Sequence, residues 1–290
     1  MPPTITTRDG RTLGIYEAGD PGGVPVIYHH GTPGSGLLYP PHDLLATEQG
    51  IRLIGYDRPG YAGSTRNDGR LVVDCIADVH SIADELGLDR FASWGISGGG
   101  PHVLACAALC DERLVAVASL AAVAPYEADG LDWFAGMGDE NVDEFGAVLE
   151  SREALEAYLG PARDGHMNAT PEELIDVFKT LLGPADRAAL TGGLATWMLE
   201  TGKNGMRDGY DGWFDDDVAF AHPWGFDVGE IERPVLILHG DDDRFVPVSH
   251  GHWLAARIPD AETRIYPGDG HLTLGTNRVR EAHEWLLAQL

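Results

Sequence analysis

The segment 95–99, GISGG, places a serine between glycines and fits the pattern G-x-S-x-G. The apolar stretch RFASWGI ends just before the serine, and the stretch GGGPHVLACAALC, which has helical character, begins just after it. At a strand-to-helix junction the chain turns sharply, and glycines leave room where other side chains would collide with the backbone. Because such a turn exposes the hydroxyl of Ser97, the segment predicts a serine nucleophile.

A serine hydroxyl is a weak nucleophile unless a base takes its proton and an acid orients that base. Three aspartates follow an apolar strand in the segment LILHGDDDRFVP, and the pattern H-G-x-x-D-x-x-x-P favours Asp243, with Asp241 as the alternative. Among the 12 histidines, His271 lies in a loop between the last predicted strand and the last predicted helix. This loop lies at the same edge of the sheet as Ser97 and Asp243, so we predict a catalytic triad with His271 as the general base.

Attack on a carbonyl group places negative charge on its oxygen, which hydrogen-bond donors must stabilise. The N–H of Gly98, directly after the nucleophile, is one expected donor. The second is expected in the segment 30–34, HGTPG, which begins at the end of the strand VPVIYHH. Since Pro33 has no N–H, we predict that Thr32 and Gly98 form the oxyanion hole.

Two pairs of residues have the chemistry of metal ligands. Cys106 and Cys110 are four residues apart on a predicted helix, but sparse cysteines of this kind usually act as small buried hydrophobic residues. His29 and His30 are adjacent on a predicted strand, where neighbouring side chains point to opposite faces. We therefore predict no metal and no other cofactor.

Strand and helix patterns alternate over the first 122 residues and position these groups. The stretches TITT and TLGIYEAG flank Asp9-Gly10, a dipeptide typical of hairpins. Further apolar strands are VPVIYHH, IRLIGYD, RFASWGI and LVAVASLAAV, and after residue 230 RPVLILHG and ETRIYPG, with helices predicted at 249–257 and 277–290. This pattern predicts an α/β fold with a mostly parallel sheet and helices on both faces.

The alternation stops between residues 125 and 230. Helices are predicted at 139–158, 171–182 and 184–199, and from 126 to 230 there are 23 acidic residues against six basic ones. We predict a core domain of residues 1–124 and 231–290, interrupted by a helical cap of residues 125–230; the alternative is an independent second domain. The acidic run FDDDV at 214–218 is interpreted as a solvated face.

The composition excludes several classes of partner. The chain has 290 residues with a formal net charge of −26, so nucleic acids and anionic membranes, which bind basic surfaces, are not expected partners. Its longest apolar run, at 114–124, is too short to span a bilayer, and no secretory signal is visible in MPPTITTRDG. Three cysteines favour a reducing compartment. We expect a cytoplasmic protein.

Five motifs together resemble enzymes with the α/β-hydrolase fold: HGTPG, DRPGYAGS at 57–64, the turn at Ser97, the segment from His239 to Pro247, and Gly270-His271. The resemblance covers nearly the whole chain and implies an eight-stranded sheet with a helical cap after the sixth strand. A serine nucleophile argues against haloalkane dehalogenases and epoxide hydrolases, which use aspartate. HGTPG and DRPGYAGS are similar to segments of proline iminopeptidases, whereas perhydrolases without cofactors and C–C bond hydrolases share the same triad.

The function expected from these residues is hydrolysis of a small ester or related acyl substrate through an acyl-enzyme. The alternatives are an aminopeptidase of the proline iminopeptidase type, whose relatives bind a free amino group with cap carboxylates, and a ligand-binding member of the fold without catalysis. Four aromatic residues of the cap are candidates to line the substrate pocket: Trp133, Phe134, Trp213 and Phe214. The alternative for these aromatic residues is packing of the cap on the sheet.

Overall fold

The computed structural model describes residues 2–290. The strands within this range are β1 (Thr4–Thr6), β2 (Thr12–Gly19), β3 (Val24–His29), β4 (Ile51–Tyr56), β5 (Phe91–Ile96), β6 (Leu114–Leu120), β7 (Val235–Gly240) and β8 (Glu262–Tyr266). The α-helices are α1 (Pro40–Glu48), α2 (Cys75–Glu85), α3 (Gly99–Leu109), α4 (Asp139–Glu150), α5 (Arg152–Asn168), α6 (Leu174–Phe178), α7 (Pro184–Ala189), α8 (Gly192–Gly205), α9 (Asp211–Ala221), α10 (Val248–Arg257), α11 (His271–Asn277) and α12 (Val279–Leu287). None of the helices described is long and apolar enough to cross a membrane.

The eight strands form one sheet in the order β1-β2-β4-β3-β5-β6-β7-β8. From β4 to β8 all neighbours pair in parallel, whereas β1 pairs antiparallel with β2 and β2 pairs antiparallel with β4. The first pair is the predicted hairpin, and Gly10 in its turn has φ +87°, a conformation that glycine adopts without strain. The predicted fold class is confirmed, and the sheet is mixed only at this edge.

The central strands bury both of their faces. Val26 and Ile27 are consecutive in β3 and fully buried, yet they belong to different apolar clusters. Leu236 and Ile237 in β7 are also consecutive and buried, and they too belong to different apolar clusters. Successive strand residues point to opposite faces, so an unbroken apolar run requires a layer of helices on each side. The sheet is thereby held rigidly, and its carboxyl-terminal edge can support a site.

Helices occupy most of the segment between β6 and β7, and we call residues 125–230 the cap segment. The helix predicted at 139–158 is two helices in the structure, because Ser151 adopts an extended conformation and its hydroxyl accepts the N–H of Ala154 at 3.1 Å, which begins α5. The helix predicted at 184–199 is likewise divided into α7 and α8. The patterns did not predict α9, which contains the acidic run.

The interpretation of residues 214–218 as a solvated face was wrong. Residues 215–217 lie on α9 and are at most 3% exposed. Asp216 is paired with two buried arginines, Arg58 at 2.6 Å and Arg70 at 2.7 Å. Arg58 and Arg70 lie more than 140 residues before Asp216 in the sequence. The composition of the acidic run therefore could not show that arginines neutralise Asp216 and allow it to be buried.

Candidate active site

Ser97 lies between the end of β5 and the start of α3, with φ +55°. This left-handed conformation is rare for residues other than glycine and is a form of local strain found at functional sites. Its N–H donates to the Leu120 carbonyl at 2.9 Å, and its carbonyl accepts from the Gly100 N–H at 2.8 Å. These bonds hold the strained turn, and Ser97 lines a cavity beneath the cap segment.

Two glycines make this turn possible. A Cβ on Gly95 would overlap the carbonyl of Gly99, and a Cβ on Gly99 would overlap the carbonyl of His29. The backbone of β3 therefore passes directly against the start of α3. Larger residues at either position would push the helix away from the sheet and displace Ser97.

His271 and Asp243 are hydrogen-bonded, with 2.7 Å between Nδ1 and Oδ2. Both side chains are buried. The alternative acid, Asp241, instead accepts the N–H of Gly268 at 2.7 Å and stabilises a turn. Of the two candidates, the structure brings only Asp243 to the histidine.

The loop after β7 orients the Asp243 carboxylate. Its Oδ1 accepts the N–H groups of Phe245 and Val246 at 2.9 and 2.8 Å, so Oδ2 is directed to the imidazole. The ring of Phe245 is stacked on His271, with 4.6 Å between the ring centroids and 21° between the planes. The imidazole is therefore held at Nδ1 by Asp243 and on one face by the ring of Phe245.

The electrostatic environment of His271 favours its protonated form. Burial lowers the pKa of the imidazole, but the charge of Asp243, the hydrogen bond to it and the charge of Asp186 raise it, and the net pKa lies above its ordinary value of 6.5. Since Nδ1 is bonded to Asp243, Nε2 is the ring nitrogen available to accept a proton. Ser97 and His271 line the same cavity, and catalytic hydrogen bonds of this kind often tighten only when substrate binds.

The predicted oxyanion donors Thr32 and Gly98 both line this cavity. They are close neighbours, because a Cβ on Gly98 would overlap the hydroxyl of Thr32. Within residues 2–290, neither main-chain N–H donates a hydrogen bond. Both groups are thus available to an oxygen that enters the cavity.

A buried network fixes the loop that carries Thr32. The Thr32 hydroxyl donates to Asp216 Oδ2 at 2.6 Å, and the Tyr61 hydroxyl donates to the same oxygen at 2.8 Å. Arg58 donates to the carbonyls of His30 and Gly31 as well as to Asp216. The arginines lower the pKa of Asp216 well below its usual range although burial raises it. Sequence reasoning missed this network; the quoted motif DRPGYAGS contains Arg58 and Tyr61, but nothing in it indicated Asp216.

The cavity has a volume of about 630 Å³ and is bounded by the cap segment and the sheet edge. Trp213 lies in its wall, as predicted for a pocket residue. Three other predicted lining residues do not. Trp133 packs in the core and donates its indole N–H to the Ala124 carbonyl at 2.8 Å, Phe134 packs beside it, and Phe214 packs against apolar residues of α5. These three side chains contribute to packing, and Phe214 does so mainly within the cap segment.

Three carboxyl groups of the cap segment, Glu140, Glu144 and Asp217, also lie in the cavity wall, and of these Glu144 and Asp217 are buried. The indole N–H of Trp213 donates to Glu144 Oε1 at 2.7 Å. Burial raises the pKa of Glu144 and that of Asp217, and the proximity of Glu144 raises the pKa of Asp217 further. The pair therefore retains a proton that ordinary carboxylates lose well below neutral pH.

A family model described as alpha/beta hydrolase fold matches residues 24–277. The chain belongs to this family. The alpha/beta hydrolase is 28% identical over 285 residues to a non-heme chloroperoxidase from Streptomyces lividans, covering 94% of each chain. It is also 28% identical over 271 residues to a bifunctional esterase/perhydrolase from Acinetobacter calcoaceticus, covering 92% of each chain. These relatives are named as enzymes, which confirms the prediction that the chain is an enzyme.

Solved structures resemble this alpha/beta hydrolase over its full length. An esterase from Exiguobacterium antarcticum matches with a TM-score of 0.71 and 19% identity, over 99% of this chain and 98% of the esterase. A bromoperoxidase from Bacillus anthracis matches with a TM-score of 0.69 and 23% identity, over 99% of each chain. At these identities the likeness establishes the fold and leaves the reaction to be argued from the site.

Proposed function

We propose that the chain hydrolyses small carboxylic esters through a covalent acyl-enzyme on Ser97. The observation that carries this proposal is the 2.7 Å bond between Asp243 and His271 in the cavity that Ser97 also lines. An imidazole bonded to a carboxylate, in one cavity with a serine, supplies the three groups that a catalytic triad of acyl transfer needs. A neutral ester of modest size suits a cavity of about 630 Å³ with aromatic walls.

In the proposed reaction, Ser97 Oγ attacks the ester carbonyl while His271 Nε2 takes the hydroxyl proton. The N–H groups of Thr32 and Gly98 stabilise the oxyanion, and loss of one such donor typically costs about 2.7–4 kcal/mol of transition-state stabilisation. His271 then gives the proton to the departing alcohol as the C–O bond breaks. Water attacks the acyl-enzyme with His271 again as base, and the acid and free Ser97 are released.

Two other acyl-transfer reactions, perhydrolysis and the cleavage of an N-terminal amide, are each supported by one observation. The relative from Acinetobacter calcoaceticus is named as an esterase and perhydrolase. In perhydrolysis, hydrogen peroxide attacks the acyl-enzyme in place of water.

The carboxyl pair in the cavity wall supports the aminopeptidase alternative, because an ionised carboxylate attracts a substrate ammonium group. In an aminopeptidase the same triad would cleave an amide.

Replacement of the nucleophile tests the proposal. We expect Ser97→Ala to lower kcat for p-nitrophenyl acetate by roughly 10⁴- to 10⁶-fold, as in other enzymes that lose a triad residue. Ser249→Ala is the control, since Ser249 lies on α10 and does not line the cavity. A fluorophosphonate probe should label Ser97 in the wild type, as read by mass spectrometry. Full activity in Ser97→Ala, or labelling of another serine, would exclude this mechanism.

A substrate panel separates the three reactions. Esters of increasing acyl length are compared with alanine and proline p-nitroanilides, and each ester is assayed with and without hydrogen peroxide. Ester hydrolysis without anilide cleavage supports the esterase. Faster cleavage of the anilides favours the aminopeptidase, and formation of peracid favours perhydrolysis.

A further inference from the structure

Asp186 lies on α7 of the cap segment and is fully buried. Its Oδ2 accepts the His271 N–H at 2.8 Å. Its Oδ1 accepts the N–H groups of Leu272 and Thr273 at 3.0 and 2.9 Å, and the Thr273 hydroxyl at 3.0 Å. One carboxylate of the cap segment therefore binds four donors at the start of the helix that carries His271.

The surrounding backbone leaves a space for this carboxylate. A Cβ on Gly270 would lie 2.5 Å from Asp186 Oδ2, so glycine before the histidine makes the contact possible. At the start of α7, a Cβ on Gly183 would overlap the side chain of Asp242, the residue before Asp243. The segment that includes α7 is thus packed against the loops of both Asp243 and His271.

The hydrogen bonds of Asp186 come from neutral groups, which leaves its negative charge near the imidazole. That charge contributes to the raised pKa of His271. The other titratable or charged groups around this part of the site are Asp243, bonded to the imidazole, His239, 3.7 Å from Asp243, and two ion pairs, Asp242 with Arg244 and Asp269 with Arg278. Because Asp242 and Asp269 each have an arginine partner, Asp243 and Asp186 are the anions that raise the pKa of the imidazole.

We propose that Asp186 is a positioning residue of the active site, which fixes the main chain at His271 and ties the triad to the cap segment. The inference rests on the proposed function, since it assumes that His271 is the general base. With Asp186 in place, the imidazole is bonded to Asp243 and lies in the wall of the cavity that Ser97 also lines. A cap segment that moves away from the sheet removes this support, so turnover depends on its docked position.

Asp186→Asn tests the role with little change in volume. An amide keeps one acceptor oxygen but presents an NH₂ to one of the N–H donors and removes the charge. We expect kcat for an ester substrate to fall by about 10²-fold, the scale of a misplaced catalytic group, with KM nearly unchanged. The acidic limb of the kcat–pH profile should move to lower pH, because an anion that raises the pKa of His271 is lost.

Asp227→Asn is the matched control. Asp227 also accepts a helix-start N–H, that of Gly229 at 2.8 Å, but it lies at the far end of the cap segment and outside the cavity. We expect wild-type kcat and an unchanged pH profile in this variant. A merely structural role of Asp186 would reduce the folded fraction, measured by circular dichroism, and leave the pH profile of the folded protein in place.

Gly270→Ala decides the question if Asp186→Asn does not fold. Gly270 has φ −97°, which alanine adopts without strain, so its added methyl acts mainly on the Asp186 carboxylate. We expect a lower kcat, with a smaller shift of the acidic limb because the charge remains. Wild-type kcat and pH profile in a folded variant of either kind would overturn the positioning role.

Labelling by fluorophosphonate separates the two proposals. If wild-type protein does not react at Ser97, the proposed function fails whatever Asp186 does. If wild-type protein is labelled and Asp186→Asn is labelled at the same rate across pH, only the positioning role is wrong.

Discussion

Asp243 differs from its neighbours in the run of three aspartates by what its oxygens contact. One oxygen accepts two loop N–H groups, and the other accepts the imidazole of His271. Asp241 stabilises a turn through Gly268. These two identical side chains thus have different chemistry, because the fold gives each a different set of donors.

Because the two aspartates have different partners, replacing each by asparagine should affect activity differently. Asp243→Asn should lower kcat by about 10⁴-fold, since an amide orients the wrong tautomer of His271. Asp241→Asn should retain activity close to that of the wild type. Steady-state assays with p-nitrophenyl acetate make the comparison, and equal losses in the two variants would contradict the assignment of the acid.

The same residues set the pH dependence of the wild type. Activity requires neutral His271 and should fall as pH decreases through its pKa, which lies above 6.5 because of Asp243 and Asp186. In Asp243→Asn the acidic limb of the residual kcat/KM should lie at lower pH. A wild-type profile that stays flat down to pH 4 would exclude a histidine base.

At the level of elements, α9 connects the cap segment to the loop after β3. Asp216 on this helix bonds the Thr32 hydroxyl and pairs with Arg58 and Arg70. Both arginines and the aspartate are buried. The geometry of the expected oxyanion hole therefore depends on a helix from a distant part of the sequence.

Neighbouring aspartates on α9 offer a matched test of this connection. Asp216→Asn leaves two buried arginines without their anion and should lower the free energy of unfolding by about 3–5 kcal/mol. Asp215→Asn should cost less, because burial raises the pKa of Asp215 and its partner Arg66, 25% exposed, also pairs with Asp211.

Urea unfolding at neutral pH measures both free energies. Ester hydrolysis should also decrease in the folded Asp216→Asn protein, because the hydroxyl of Thr32 loses its acceptor. Similar stabilities for the two variants would show that the buried network does not hold this loop.

For the molecule as a whole, the excess of acidic over basic residues has two different consequences. The net charge of −26 favours solubility. Yet several carboxyl groups of the cap segment are buried, each in a different environment: Asp186 on main-chain N–H groups, Asp216 on arginines, and Glu144 with Asp217 in the cavity wall. Asp186 and Asp216 bind the cap segment to the core, whereas Glu144 and Asp217 lie together within the cap segment and make stability depend on pH.

The carboxyl pair predicts that stability falls as pH rises above the ordinary carboxyl pKa and through neutrality. Its pKa values are raised in the folded state, so its contribution is fully present below the ordinary carboxyl pKa and is lost as pH rises through the folded values. Asp217→Asn removes the repulsion between two ionised groups. We expect this variant to lose less free energy of unfolding between pH 6 and pH 9 than the wild type.

Asp208→Asn is the control for that measurement, because the Asp208 side chain is 70% exposed. Its free energy of unfolding should follow the wild-type pH dependence. Parallel curves for wild type and Asp217→Asn would show that the pair does not exchange protons between folded and unfolded states in this range.

Local patterns in the chain correctly predicted the sheet and were the basis on which the triad was proposed. The period of apolar residues reflects the geometry of a strand or helix, and the glycines around Ser97 reflect a turn of a few residues. His271 was proposed because it follows the last strand, and Asp243 was favoured over Asp241 by the pattern H-G-x-x-D-x-x-x-P. Such information is contained in short windows of sequence.

Burial, orientation and partner choice within residues 125–230 depended on contacts between distant parts of the chain. Arg58 and Asp216 are 158 residues apart, and Asp186 and His271 are 85 residues apart. The run at 214–218 therefore looked like a solvated surface, and Asp186 looked like any helix aspartate. A charge is stable in the interior only where folding supplies its donors or counterions, and no local pattern records where those donors will be.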